Sequence, residues 1–281
     1  QDKDNRKKMP KETIIPGVPS NLSDKKYINE ASKYVNINFK NNYGTTDDFM
    51  FPISHKTANN WLKNFIDKKF KSFGDYQDYI NQENDFMFHS LLSTSINIGL
   101  INPTEIIDKI KKIKGIPMNS YEGYIRQLFW REYQRYCYKY FNFDNKNYFG
   151  NSKKLNKKWY KGETGIEPID DCIIKAFKSG YLYHIERLMI MGNFMNLNQI
   201  SPKEGFKWFM EFSCDSYEWV MKQNVLDMVF FCSGGKTMRR PYVSSSNYIL
   251  KNSNYSKGKW CDEWDNLYQS FIKRNKTKLQ K

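Results

Sequence analysis

The sequence predicts a mainly α fold, on three observations. From Thr57 almost to the C-terminus, apolar residues recur at i, i+3, i+4 and i+7. No stretch shows the sustained apolar–polar alternation of a half-buried strand. Serines and prolines stand where helices would begin, and Ser179-Gly180 stands where one would stop.

Taken in order, residues 1–52 mix charge, Pro and Gly, as in KKMPKETIIPGVPSN, around one short helix over 25–34. They read as a linker or wrapping arm, and residues 53–281 as the helical domain. Ala58, Trp61, Leu62, Phe65 and Ile66 carry the first helical stripe. Pro103 starts a helix over 104–112, and Ser120 precedes one that contains EGYIRQLFWREY, residues 122–133. Pro168 opens a helix over 170–178. A helix over 181–197 follows, and Ser201-Pro202 opens the next, over 203–212. Segments 142–164 and 233–260, rich in Gly, Asn, Ser and Lys, read as long surface or site-forming loops.

The chain has 281 residues, 40% of them hydrophobic and 17% aromatic, enough for a substantial core. A formal net charge of +15 favours a polyanionic partner, with nucleic acid first and an anionic membrane surface second, although free use of Lys and Asn explains part of the excess. The five cysteines form no CxxC pair and no metal-ligand spacing, so neither a zinc site nor a disulfide framework is expected. There is no run of 18 or so apolar residues and no secretory leader, so a soluble intracellular protein, of cytoplasm or nucleus, is expected. The chain begins at Gln1 and not at Met, as a piece of something longer would.

Residues 122–133 divide into two faces. At about 100° per residue, Tyr121, Ile125, Leu128, Phe129, Tyr133, Tyr136 and Tyr140 fall on one arc, expected to face the core. Gln127, Trp130, Arg131 and Gln134 fall on the other. An indole with a guanidinium and two carboxamides suits a flat heteroaromatic ligand, or else a contact with another helix. Glu132 falls within the apolar arc, where a buried ion pair or polar network would be needed.

Two further segments carry chemistry. FMFHSLLSTSINIG, residues 86–99, gathers His89, Ser90, Ser93 and Thr94 in an apolar run, as a phosphate or pyrophosphate site would, or with Ser90 as an ordinary helix cap. GYLYHIERLMIMGN, residues 180–193, puts His184, Arg187 and Met191 on one side of a helix. His184 reads as a core histidine or a catalyst; Arg187 needs a carboxylate, and Asp215 returns to its neighbourhood if the intervening helices pack antiparallel. Such a pair is a structural salt bridge, or it biases the polar edge of a flavin or nucleotide.

These blocks in this order resemble the photolyase and cryptochrome family, in its all-helical FAD-binding half, over nearly the whole chain. The residues are Tyr76 in FGDYQD, His89 to Ser93, RQLFWRE, GETG at 162–165 with Pro168, GYLYHIERLM, Asp215, and RRPYVSSSNYI at 239–249. In particular the chain resembles prokaryotic-type photolyases related to (6-4) repair enzymes, through HIxRLM, GNF, EWV at 218–220 and the ending SNYxKGxW.

The resemblance implies light-driven repair of pyrimidine dimers in UV-damaged DNA by electron transfer from reduced FAD, or else a cryptochrome-like light receptor or non-catalytic FAD and DNA module. It implies that Tyr76, His89, Ser90, Leu91, Leu92 and Ser93 hold the ribityl and pyrophosphate. Gln127 would lie between adenine and lesion, and Trp130 on the flipped base. Arg131, Arg187, Asn193, Asp215 and Tyr217 would line the cofactor, with His184 as proton donor to the lesion. Trp130, Gln134, His184, Arg239, Arg240, Tyr242, Lys257 and Lys259 would meet DNA, and Trp208 and Tyr160 would carry electrons.

The departures are as informative. Where relatives bind an iron–sulfur cluster through four cysteines, this chain has Pro168, Ser256 and Lys259, with only Cys261 retained, so no cluster and no other metal is expected. Met221 stands near where an Asn or acidic residue would meet the flavin nitrogen, and Pro202 and Val225 break the usual tryptophan triad. The family's N-terminal α/β domain is not expected in this chain. QDKDNRKKMP looks like the end of the motif that closes it, so the antenna chromophore is not held by this chain. A separately encoded α/β domain is an expected partner, and a monomer the expected state.

Overall fold

The computed structural model describes residue 5, residues 7–20 and residues 22–280. All of QDKD, and Arg6 from the expected closing motif, lie outside the described residues. The α-helices are α1 (Lys25–Asn38), α2 (His55–Asn64), α3 (Phe70–Tyr76), α4 (Ser93–Asn97), α5 (Pro103–Ile110), α6 (Met118–Tyr140) and α7 (Lys158–Lys161). There follow α8 (Glu167–Ser179), α9 (Asn193–Leu197), α10 (Pro202–Phe212), α11 (Glu218–Met221), α12 (Ser246–Lys251), α13 (Lys259–Arg274) and α14 (Lys276–Leu279). Among the described residues three π-helical segments interrupt them: π1 (Phe65–Lys69), π2 (Glu186–Gly192) and π3 (Lys222–Val229). No sheet forms among the described residues. The mainly α class expected from the sequence is the one observed.

The chain forms two compact units, residues 1–129 with 177–180, and residues 130–176 with 181–281. In the first, α2, π1 and α3 supply Trp61, Leu62, Phe65, Phe70 and Phe73 to the core. The phenyl rings of Phe65, Phe70 and Phe73 surround Tyr124, at centroid distances of 4.7, 5.7 and 5.5 Å. Gly74 lets the chain at 119–120 come close: a Cβ there would lie 2.3 Å from the Ser120 backbone nitrogen. In place of a side chain, the Gly74 N–H donates to Ser120 Oγ (2.8 Å), whose hydroxyl donates to the Lys71 carbonyl (3.0 Å). The arm is tied to α2 by buried Asp24, which accepts from Ser54 Oγ (3.1 Å) and Thr57 Oγ1 (2.6 Å), the two residues of the α2 capping box. Its helix runs on to Asn38, four residues beyond the expected 25–34, and buries none of its residues. Lys69, at the end of π1, is only 2% exposed, and burial pushes its ammonium down to about 8.

The second unit packs around Trp208, Phe209, Phe230, Trp264 and Phe271. Lys175 and Glu186 form a buried ion pair (3.0 Å). The helix expected over 181–197 starts three residues late: Tyr181, Leu182 and Tyr183 are buried without helical structure, and the Leu182 carbonyl accepts instead from Arg187 Nε. A left-handed Gly180 (φ +66°) sets the preceding turn. Gly205 brings α10 against Phe230, whose ring carbons lie 2.3 Å from where a Cβ would be.

The two faces of α6 differ from expectation. Phe129, Tyr136 and Tyr140, assigned to the core, are 67%, 54% and 59% exposed, whereas Gln134 is buried and the Arg131 side chain nearly so. Hydropathy measures only the cost of apolar surface in water. A helix whose inner polar groups find fixed partners, as the Gln134 carboxamide does at Asn224, can invert the expected pattern, and Tyr136 and Tyr140 shield each other at 4.6 Å. Glu132 is correspondingly half-exposed, paired with Arg131 (3.2 Å) and Arg135 (3.7 Å), and not in the buried network expected of it.

Candidate functional site

The predicted site residues fall in both units. In the first, Tyr76 ends α3 with its ring 5.4 Å from Phe88. The 86–95 segment turns sharply, with Met87 (φ 42°) and Leu91 (φ 57°) in left-handed backbone. His89 is buried, its Nε2 3.2 Å from the Gln77 carbonyl oxygen, and its ring packs edge-on against Phe73. Leu91 and Leu92 are buried, and Ser93 opens α4. Ser90 does not cap that helix. Its hydroxyl meets the Tyr124 phenol, which burial pushes up to about 12 against the opposing effect of that hydrogen bond. The hydroxyls of Thr94 and Ser95 are buried with no hydrogen-bond partner among the described residues. Gln127 is half-buried on α6.

In the second unit, Arg187 leaves π2 to bond Asp215 Oδ1 through Nη1 (2.9 Å), with its guanidinium over the Phe212 ring (5.5 Å). Ser213 Oγ also donates to Asp215. Arg131 and Arg135, one helical turn apart, both stack on the Trp219 indole, at 4.7 and 5.0 Å. Burial first, and then the like charge of Arg135, lower the Arg131 guanidinium from its ordinary value. The wall predicted on α6 is held by a residue that periodicity does not mark. Asn224 Oδ1, on π3, accepts from Gln134 Nε2 (2.7 Å) and from Trp130 Nε1 (3.4 Å).

His184 is exposed within an otherwise buried run, with its ring against Tyr183 at 5.9 Å. Asn193 is fully buried, and its carboxamide is engaged by Ser244: Nδ2 donates to Ser244 Oγ (2.9 Å) and Oδ1 accepts from the Ser244 N–H (3.2 Å). It therefore anchors the 233–245 loop. Asp227, also fully buried, fixes the start of that loop by accepting from Ser233 N–H (2.8 Å), Ser233 Oγ (2.8 Å) and Thr237 Oγ1. Arg239 and Arg240 project from it into solvent and Tyr242 is half-buried, while Lys257 and Lys259 are exposed near the start of α13. Trp208 is fully buried and donates to the Trp159 carbonyl (2.8 Å), and Tyr160 donates to Glu211 (3.0 Å). Met221 is buried at the end of α11, and Tyr217 is exposed.

Sequence reasoning missed Asn224, Asp227 and Trp219. All three lie on or beside π3, where i→i+5 hydrogen bonding shifts side chains off the 3.6-residue period. No helix among the described residues is long and apolar enough to cross a membrane.

Residues 124–281 match the family model described as the FAD binding domain of DNA photolyase. A (6-4) photolyase of Agrobacterium fabrum is 33% identical over 300 aligned positions, covering 99% of this chain and 58% of that protein. Among solved structures, a bacterial class III photolyase from Agrobacterium tumefaciens superposes with a TM-score of 0.60 at 17% identity, over 80% of this chain and 50% of that one. A Synechocystis cryptochrome superposes at 0.55 and 14%, over 81% and 46%. These last two are likenesses of fold. The chain spans about half the length of these relatives.

Proposed function

The chain belongs to the family of DNA photolyase FAD-binding domains, and on that premise we propose that it holds FAD and serves the light-driven repair of pyrimidine dimers, of the (6-4) type, in UV-damaged DNA. The observation that carries the reading is the Arg187–Asp215 ion pair. It is a charged donor–acceptor edge, mostly withdrawn from solvent, which suits the polar rim of a flavin ring.

The donor set fits the cofactor. Pyrophosphate oxygens need donors, and the buried Thr94 and Ser95 hydroxyls, with no hydrogen-bond partner among the described residues, stand beside the predicted Ser90 and Ser93. In the first unit Tyr76, His89, Leu91, Leu92 and Gln127 would hold the cofactor, and in the second Arg131 and Tyr217 would. Bound in reduced form, FAD supplies a light-excitable electron donor. Trp130 would stack on an extruded base, Gln127 would hydrogen-bond to its edge, and His184 would deliver a proton to the lesion. Arg239, Arg240, Tyr242, Lys257 and Lys259 would hold the DNA backbone and the opened strand. Asn193 would act at one remove, by fixing the loop that bears three of them. Trp208 and Tyr160 would begin an electron route in place of the broken triad.

Met221 favours a second reading, a cryptochrome-like receptor without repair activity. A buried thioether cannot hydrogen-bond to a flavin radical as an amide or acid would. Uptake of FAD by the recombinant chain, read from flavin absorbance after gel filtration, tests the ground common to both. One flavin per chain is expected; a colourless protein that takes up none would overturn both readings.

A further inference from the structure

We propose that Asn224 is the positioning residue of the α6 wall: its carbonyl oxygen fixes the orientation of the Trp130 indole and the Gln134 carboxamide, and thereby how Trp130 meets a flat ligand. The assignment rests on reading that wall as the surface that receives an extruded base.

Trp130 and Gln134 are one turn apart on α6, so their side chains leave the helix on one face. Both direct their N–H donors to the same atom, Asn224 Oδ1, at 3.4 and 2.7 Å. An indole has a single N–H. Turning the ring over about χ2 would carry that donor away from Asn224, so the hydrogen bond selects one of two otherwise similar ring placements.

A second set of contacts closes the arrangement. Trp130 packs on Tyr133 (5.0 Å), and the Tyr133 phenol donates to the Thr237 carbonyl (2.9 Å). Thr237 Oγ1 is bonded to Asp227, three residues beyond Asn224 on π3. Trp130 is thus gripped from two sides by one segment, through Asn224 and, by way of Tyr133 and Thr237, through Asp227. Gln134 is buried, so its amide has no water to replace a lost acceptor, and removing the Asn224 oxygen would force it to turn.

The test crosses two positions in the full chain. Asn224→Leu removes the acceptor at similar volume, Asn224→Asp keeps it, and Trp130→Phe keeps an aromatic ring without the N–H. The first readout is the indole 15N–1H resonance that disappears in Trp130→Phe. It should move upfield in Asn224→Leu and stay close to its original place in Asn224→Asp.

The second readout is the ratio of affinities for an oligonucleotide with one (6-4) lesion and for its undamaged twin. Asn224→Leu should lower this ratio about three- to tenfold, Asn224→Asp should leave it within about twofold, and Asn224→Leu should add nothing in the Trp130→Phe background. Should Asn224→Leu not fold, Asn224→Ala carries the same expectations. An unmoved indole resonance, or an undiminished effect of Asn224→Leu in the Trp130→Phe background, would overturn the assignment. A wild-type chain with no preference for damage would count against the proposed function, and the resonance would then decide the positioning role alone.

Discussion

Arg187 and Asp215 meet at 2.9 Å across the turn that follows α10, each side chain less than one-fifth exposed. The guanidinium is held at three points: the Asp215 carboxylate, the Leu182 carbonyl and the face of Phe212. Such a cation has little freedom, so it costs little further ordering when a ligand arrives.

Asp215→Asn leaves the shape of this site but removes the charge that holds the guanidinium. We expect a loss of stability of about 1–3 kcal/mol, because the pair is mostly but not wholly buried. Flavin content should fall with it. Chemical denaturation with and without FAD measures the two effects separately.

Lys175 and Glu186 are 8% and 1% exposed and lie 3.0 Å apart. Glu186→Leu alone should cost about 3–5 kcal/mol, because it strands a buried ammonium. Lys175→Met with Glu186→Leu should recover most of that loss, since the apolar pair needs no desolvation of charge. Urea midpoints of the two single variants and the double variant decide it.

Burial holds the Lys69 ammonium at about 8, against 10.5 for an ordinary lysine. Between those values the unfolded chain binds the proton and the folded one does not, so stability rises with pH through this window, by on the order of 3 kcal/mol. Below pH 8 both states are protonated and the full penalty persists. Tyr124 and Tyr133, pushed up to about 12, oppose the trend above pH 10, where the unfolded phenols ionise first. The rise is therefore best read as a difference between wild type and Lys69→Met. The variant should be the more stable at pH 7, and the gap should close as pH approaches 10.5.

Gly74→Ala should destabilise by about 3 kcal/mol or more, because its Cβ meets the backbone of 119–120, which cannot swing aside. Gly17→Ala, where a Cβ would meet nothing within 4 Å, should be close to neutral. Paired thermal melts test the contrast.

The helical class and the order of most helices were legible because apolar periodicity, Pro103, Pro168 and Ser201-Pro202 report local preferences that packing did not override. The Arg187–Asp215 pair was legible for a similar reason: a cation in an apolar helix demands a carboxylate, and Asp215 comes back one helix later. The inward face of α6 was not. Its buried Gln134 and Arg131 are tolerated only because Asn224 and Trp219 await them roughly 90 residues downstream, and no local pattern encodes a distant acceptor. The π segments were hidden likewise, since an i→i+5 turn is imposed by tertiary contacts and leaves no period of its own.

The most direct measurement is repair itself. The full chain, loaded with FAD and chemically reduced, is mixed with an oligonucleotide carrying one (6-4) photoproduct, and intact pyrimidines are counted by chromatography after blue-light exposure and after equal time in the dark. Light-dependent restoration, lost in His184→Ala at unchanged flavin content, is the predicted result. A flavin-loaded chain that restores no more in light than in darkness, for (6-4) and cyclobutane lesions alike, would contradict a repair function and leave the receptor reading in its place.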